Sequence, residues 1–435
     1  MLYNEVIDYL YGRLPMFTRD GAAAIKKDLT NTLKFCEALG NPQNKFRSVH
    51  IAGTNGKGSS SHMLAAILQR AGYRTGLYTS PHLLDFRERI RIDGSMIPQE
   101  EVISFVEEWK PVIEKIGPSF FEVTVAMAFH YFAKQQVDIA IIETGLGGRL
   151  DSTNVISPVL SLITNVGMDH MNILGNTLVD IAKEKAGIIK RATPVVVSER
   201  QEAVEEVIRQ KADLEAAPLI FAGDEYEVVD MGLSMGRRQV RVLELGNRLL
   251  VDDYQLDLMG SYQLKNIGGV LASINMLKEK GFAFDDAAVV YGLANVQALT
   301  GLMGRWQVLG TDPTVICDTG HNYDGWTEIL ESLSQCEFDT LHMVIGVMRD
   351  KDLSHMLPLL PKSAIYYYCN PHFPRALPAE ELKKQAMSYG LNGLAFENIE
   401  QAVTQALNQA TKDDMVFIGG STFVVAEALP IFLHR

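Results

Sequence analysis

A chain of 435 residues, 47% hydrophobic and 21% charged, is too long for a single core and too apolar for a disordered or fibrous protein. Its net charge of −13 argues against a nucleic-acid partner, because binding a phosphate backbone calls for an excess of Lys and Arg. Cys36, Cys317, Cys336 and Cys369 are far apart and form no CxxC, so neither a zinc site nor a disulfide framework is expected. No apolar run approaches the roughly 20 residues of a membrane span. The opening MLYNEVIDYLYGRL carries Glu5 and Asp8 where a secretion signal would be basic. A soluble, cytoplasmic protein of two or three domains is expected, with no membrane partner.

Residues 48–78 read as strand (SVHIAG), glycine turn (GTNGKGSS), helix (SHMLAAILQRAG) and strand (TGLYTS). That is a βαβ unit, which implies a parallel sheet. VDIAIIET (137–144), VLSLITNV (159–166) and TPVVVS (193–198) are short apolar runs of the length expected for further buried strands. Residues 220–258 instead alternate with period two between Gly-containing turns, which predicts an antiparallel hairpin or meander. A helix follows over 260–281. From about residue 313, TVICDTGHN, TLHMVIGVM, AIYYYC and MVFIGGS alternate with helix-compatible stretches. The chain is therefore expected to divide into 1–297 and 298–435, with the boundary near QALTGLM (297–303).

GTNGKGS (Gly53–Ser59) is the strongest local signal. Backbone N–H groups of a glycine loop between strand and helix can close on phosphate oxygens, and Lys57 would then meet the β- and γ-phosphates. The strict P-loop pattern is not met, since Ile51 stands at its first Gly and Gly58 follows the lysine. In TSPH (Thr79–His82), Ser80 offers a hydroxyl to Mg²⁺, or is simply part of a turn. Glu143 ends a strand before a glycine loop with Arg149 and Asp151, where a carboxylate suits a hard cation or plain solvent. TNVGMDH brings Asp169 and His170, and the helix after it carries Lys183, Glu184 and Lys185, which by themselves suit a solvated face. Asp318, His321 and Asn322 cluster after the first strand of the second domain, where an open α/β sheet presents ligands.

In this order, GTNGKGS, TSPHL with FRERI, FFEVT, ETGLGGRLDSTN, TNVGMDH, EKAGI, GRW, DTGHN, MRDKD and the late GGS resemble the folylpolyglutamate synthase/dihydrofolate synthase family, a branch of the Mur ligases. The resemblance implies an α/β protein: an N-terminal P-loop-type, mostly parallel sheet domain and a smaller Rossmann-like C-terminal domain, with ATP in the interdomain cleft. It implies a monomer that adds L-glutamate to dihydropteroate, to folates, or to both, through an acyl phosphate. Only 52 residues precede Gly53, whereas muropeptide ligases are expected to carry an additional N-terminal domain.

By resemblance, Ser80, Glu143 and His170 hold one or two Mg²⁺ ions. Thr54, Asn55, Gly56, Lys57, Gly58 and Ser59 cradle the triphosphate, and Asn266, Arg305 and Asp318 reach ATP. Lys57, Glu143, His170 and Lys185 form the catalytic set, with Lys185 carbamylated by CO₂. Phe121, Glu122 and Asp151 fall near the pterin, and His321 and Ser421 near glutamate. Two departures stand out: Tyr262 replaces a His before Gln263, and RDGAAAIKKDLTN (19–31) does not align with the family's N-terminal substrate segment. The rival readings are a Mur-type ligase for another carboxylate and a non-catalytic P-loop regulator.

Overall fold

The apolar runs of the first half are strands, and most of them are parallel. The computed structural model describes residues 1–21, 28–245, 249–349 and 351–433. Eight strands form the first sheet: β1 (Arg47–Ala52), β2 (Thr75–Tyr78), β3 (Ile90–Ile92), β4 (Ser95–Met96), β5 (Ile139–Glu143), β6 (Leu160–Ile163), β7 (Val195–Val197) and β8 (Leu219–Phe221). Their spatial order is β4-β3-β2-β5-β1-β6-β7-β8. All pairings from β2 to β8 are parallel, and β3 and β4 add an antiparallel edge. Helices cover both faces, so β5, β6 and β7 are buried along their whole lengths and need no polar alternation.

This order decides where chemistry can occur. The chain leaves β1 to one side and returns on the other, so β1 lies between β5 and β6. The loops after β1, β5 and β6 therefore open side by side at the carboxyl edge of the sheet, the place where such folds bind ligands.

The expected meander is β9 (Tyr226–Ser234), β10 (Arg237–Glu244) and β11 (Leu249–Leu256), a three-stranded antiparallel sheet. Met235 and Gly236 form the β9–β10 turn, both with positive φ (51° and 70°), as a tight two-residue hairpin requires. It begins later than the alternation suggested, because Leu219–Phe221 joins the parallel sheet.

The chain packs as two units, Met1–Asp257 with Gln263–Gly301, and Leu258–Tyr262 with Leu302–Arg435. The second holds β12 (Gln307–Thr311), β13 (Thr314–Cys317), β14 (Leu341–Ile345), β15 (Ile365–Tyr368), β16 (Gly393–Ala395) and β17 (Met415–Gly419), ordered β12-β13-β17-β14-β15-β16. Only β12 runs antiparallel, so this sheet is mixed.

Leu258–Tyr262, expected within the first domain, instead packs with the second. The cause is local. Met259 and Tyr262 lie against that unit's core, the Ser261 amide donates to Ser332 Oγ at 3.0 Å, and the Tyr262 hydroxyl donates to Asp318 at 2.6 Å. Among the described residues no helix is long and apolar enough to cross a membrane.

Candidate active site

β1 ends at Ala52, and Gly53–Gly56 turn the chain into the helix Lys57–Arg70. Two glycines are required here. A Cβ on Gly53 would stand 1.8 Å from Thr164 Oγ1, and one on Gly56, at φ +83°, would stand 2.2 Å from Asn266 Oδ1. The loop is tied to the segment after β6: Thr54 N donates to Asn165 O (3.1 Å), Asn55 N to Asn165 Oδ1 (2.9 Å), and Thr164 Oγ1 to Asn55 O (2.5 Å). Thr54 Oγ1 both donates to Gly167 O (3.1 Å) and accepts from Gly167 N (2.8 Å). Asn266, on the helix Gln263–Glu279, donates to Gln263 Oε1 (2.8 Å), and Gln263 donates to Ser59 Oγ (3.1 Å). The Lys57 ammonium folds over the loop and donates to Gly53 O (2.9 Å) and Thr54 O (3.1 Å).

The neighbouring strands bring the other motifs to this edge. Glu143 closes β5 and is 4% exposed; Ser80, just past β2, donates its amide to Glu143 Oε2 at 3.2 Å. Val166 is clamped by Gln201, whose amide accepts from Val166 N and donates to Val166 O, each at 2.8 Å. That clamp was not legible in sequence, because Gln201 lies in no motif. Beyond it His170 takes the left-handed conformation (φ +51°), with its Nε2 at 3.8 Å from Asp169 and its ring edge-on to Phe17. Among the described residues no three His, Cys, Asp or Glu side chains gather where one ion would sit.

The glycine loop after β5 meets the helix Leu178–Ala186 by backbone proximity. Arg149 N donates to Glu184 O (2.7 Å), and the Arg149 guanidinium pairs with the Glu184 carboxylate (2.7 Å). A Cβ on Gly148 would meet Glu184 O at 2.7 Å, and one on Gly187 would meet Arg149 Cα at 2.4 Å. These contacts turn Lys185 inward, to 3% exposure. Burial above all, and then the Lys57 charge, hold its ammonium well below the ordinary lysine range, while Asp169 opposes them. The sequence suggestion of a solvated lysine face therefore fails at Lys185. Gly187→Ala is expected to cost about 1–3 kcal/mol, the range for overpacking against a fixed neighbour. Urea denaturation checks this, and an unchanged midpoint would mean that the two backbones can part freely.

The residues expected near the pterin have local duties. Phe121 lies over Gly145, where an added Cβ would stand 2.5 Å from its ring, and it packs against Tyr78. Glu122 closes a capping box with Ser119 (2.7 Å) and accepts from Thr32 (3.4 Å). Asp151 accepts from Leu146 N (2.8 Å), Thr153 N (3.0 Å) and Thr153 Oγ1 (2.5 Å), and Thr153 in turn holds His50 Nε2 at 2.8 Å. Burial raises the Asp151 carboxyl, and these donors pull the other way. Both carboxylates shape the loops around them. The 22–27 part of the unaligned segment, and Asp350 of MRDKD, lie outside the described residues.

In the second unit, Asp318 follows β13 and is 3% exposed. It accepts from the Tyr262 hydroxyl (2.6 Å), Trp306 N (2.8 Å) and Gly320 N (2.8 Å). Burial and the Asp318 charge push the Tyr262 phenol well up, so it stays a donor. Arg305 donates to Gly304 O and Thr319 Oγ1, and His321 Nδ1 donates to Thr319 O at 3.0 Å. Asn322 caps the helix Tyr323–Ser334, and Ser421 accepts from Val424 N (3.2 Å) at the start of the helix Thr422–Leu433. The structure thus brings Thr54–Ser59, Asn266, Ser80, Glu143 and Lys185 to one edge of the first sheet. It gathers Arg305, Asp318 and His321 after β13 in the second unit.

Residues 51–274 match the Mur ligase middle domain, and residues 304–422 match the glutamate ligase domain of Mur ligases. Together with a phosphate-type loop, this pairing defines a ligase of the Mur type. The chain belongs to the folylpolyglutamate synthase/dihydrofolate synthase family. It is 33% identical to the dihydrofolate synthase/folylpolyglutamate synthase of Bacillus subtilis over 98% of both chains. It is 34% identical to a probable bifunctional folylpolyglutamate synthase/dihydropteroate synthase of Haloferax volcanii over 98% of this chain, and there it spans only 50% of the relative's length. The folylpolyglutamate synthase of Mycobacterium tuberculosis complexed with ADP superposes with a TM-score of 0.88 at 31% identity, covering 99% of this chain and 98% of that one. The Escherichia coli enzyme in complex with DHPP and ADP gives 0.86 at 28%, covering 100% and 98%.

Proposed function

We propose that this chain joins the carboxylate of dihydropteroate or a folate to the amino group of L-glutamate, at the expense of ATP. A carboxylate is a poor electrophile, so its oxygen first attacks the γ-phosphorus, ADP leaves, and an acyl phosphate forms. The glutamate amine then attacks the acyl carbon, phosphate leaves, and the amine proton goes to solvent. The observation that carries this reading is the convergence of Thr54–Ser59, Glu143 and buried Lys185 at one sheet edge.

In this reading the amides of residues 54–59 hold the phosphates, and Lys57 leaves its loop carbonyls to neutralise charge on the transferring group. Ser80 and Glu143 fit a Mg²⁺ site: the Ser80 backbone amide holds the Glu143 carboxylate beside the Ser80 hydroxyl, and this cation fills the rest of its shell from phosphate and water. His170 is proposed as a further ligand. Bound Mg²⁺ would withdraw charge from the phosphate oxygens. Asn266 is proposed for the nucleotide, as are Arg305 and Asp318 of the second unit; His321 and Ser421 are proposed for glutamate. Phe121 is proposed as the wall for the pterin, with Glu122 and Asp151 holding the loops that frame it.

Lys185 is proposed to carry CO₂. Its neutral amine attacks the carbon of CO₂, an N–C bond forms as one C–O π bond opens, and a proton leaves nitrogen for solvent. The product is an anion beside Lys57.

The test is phosphate release with dihydropteroate or tetrahydrofolate, each with and without glutamate. Release is expected only when ATP, glutamate and a pterin acid are all present, and the better acid defines the activity. Equal release with the acid omitted would overturn the proposal.

A further inference from the structure

The segment Asp85–Arg91 holds two acids and three arginines, and its acids are consumed locally. Asp85 forks with Arg87 (2.7 and 3.0 Å). Glu88 accepts the amides of Leu83, Leu84 and Asp85, each at 2.8 Å. Arg91 donates to Gly94 O at 2.9 Å.

Arg89 is left over. It is 6% exposed, and its guanidinium lies 5.3 Å from the centroid of the Phe120 ring. Its Nε donates to His82 Nδ1 (2.8 Å), and the buried Tyr78 hydroxyl is its other polar neighbour. Because Nδ1 accepts, the imidazole is neutral and its proton sits on Nε2, facing the Tyr11 hydroxyl at 3.1 Å. No carboxylate of the described residues pairs with Arg89. A buried cation whose neighbours are a neutral imidazole, a neutral phenol and an aromatic face is unfavourable unless something supplies the anion.

We infer that Arg89 binds the carboxylate of the acyl substrate through its terminal guanidinium nitrogens, which no carboxylate of the described residues engages. The inference rests on the reading above, in which that substrate is a pterin acid. A guanidinium fork matches a carboxylate edge to edge, and His82 and Phe120 fix its plane beforehand. Position agrees: His82 stands two residues after Ser80, whose amide meets Glu143, and Phe120 adjoins the Phe121 that covers Gly145. The carboxylate would be held at the turn where it is to be phosphorylated, and the aromatic wall suits the aryl ring that bears it.

The experiment compares binding of dihydropteroate with binding of its carboxamide analogue, by calorimetry, to wild type, Arg89→Met and Arg89→Lys. Wild type is expected to prefer the acid by about 10–100-fold, the range for a hydrogen bond to a charged group. Arg89→Met should bind acid and amide alike, Arg89→Lys should fall between, and all three should bind ATP equally. A Met variant that keeps the wild-type preference overturns this inference alone. Wild type without affinity for the acid overturns the pterin-acid reading and this inference with it. Should Arg89→Met melt below the assay temperature, Arg89→Lys decides, and an undiminished preference there counts against the role.

Discussion

Lys185→Ala is expected to abolish turnover, and added short-chain carboxylates are expected to restore part of it. A primary ammonium at that place is disfavoured twice, by burial to 3% exposure and by the neighbouring Lys57 charge. The neutral amine is a nucleophile toward CO₂, and the resulting carbamate replaces repulsion between two lysines with attraction. Alanine leaves room for a small carboxylate in the same polar surroundings, which is why rescue distinguishes the carbamate from a merely structural lysine.

A pH signature accompanies it. With Lys185 unmodified, its folded-state pKa is depressed below the ordinary 10.5, so the unfolded chain binds more protons between those two values. Stability contributed by this group therefore rises with pH through that window and falls as pH drops through it. Carbamate forms only from the neutral amine, so bicarbonate adds stability where that amine is unprotonated and adds less as pH falls and the ammonium forms. Thermal midpoints measured with and without bicarbonate should thus differ at high pH and converge as pH falls in wild type, and coincide at every pH in Lys185→Met. Intact-mass measurement should find the increment of one CO₂ on wild type only. Full activity in Lys185→Ala would end the proposal.

Lys57→Ala should lower kcat by about 10²–10³-fold, the loss seen when one preorganised donor to a developing oxyanion is removed. The ammonium sits at the first turn of the helix Lys57–Arg70, on a flexible stem that donates to Gly53 O and Thr54 O, and a swing toward phosphate exchanges these neutral acceptors for charged ones. Folding should be nearly unaffected, since Gly53, Thr54 and Asn55 are tied independently to residues 164–167. The substitution should also reduce CO₂ on Lys185, because it removes the charge that both disfavours the ammonium and attracts the carbamate. Lys57→Ala/Lys185→Ala should therefore cost little more than either change alone, as for residues acting as a unit. Additive losses, or near-wild-type turnover in Lys57→Ala, would contradict the phosphate-cradle role.

The central strands were readable because burial on both faces leaves an unbroken apolar run, as in IAIIE and VVV. β3 and β4 were not, because IRI and SM are too short to show a period and sit inside a charged segment. The site was legible where glycine is forced, at Gly53 and Gly56, since close approach leaves its mark on composition. Its supports were not. Gln201 reaches Val166 over 35 residues through one side-chain amide, with no spacing rule to announce it. Arg89 looked like one charge among five; its lack of a counter-ion emerges only when Asp85 and Glu88 are seen bonded elsewhere. Glu122 and Asp151 read as candidate ligands, because a carboxylate that caps a turn has the same letter as one that binds a substrate.

The five residues Leu258–Tyr262 leave the chain passing from one unit to the other after Asp257, after Tyr262 and after Gly301. No single scission of the backbone can therefore release either half intact. A protease nick after Gly301 would leave Tyr262 attached to the first unit, still the source of the hydroxyl that Asp318 accepts. Grafting a relative's residues from 302 onward onto this chain would pair a foreign aspartate turn with the resident tyrosine. The interchangeable cassette is accordingly a discontinuous one, and a hybrid enzyme keeps its second sheet in register with its own chemistry only if residues 258–262 travel with it.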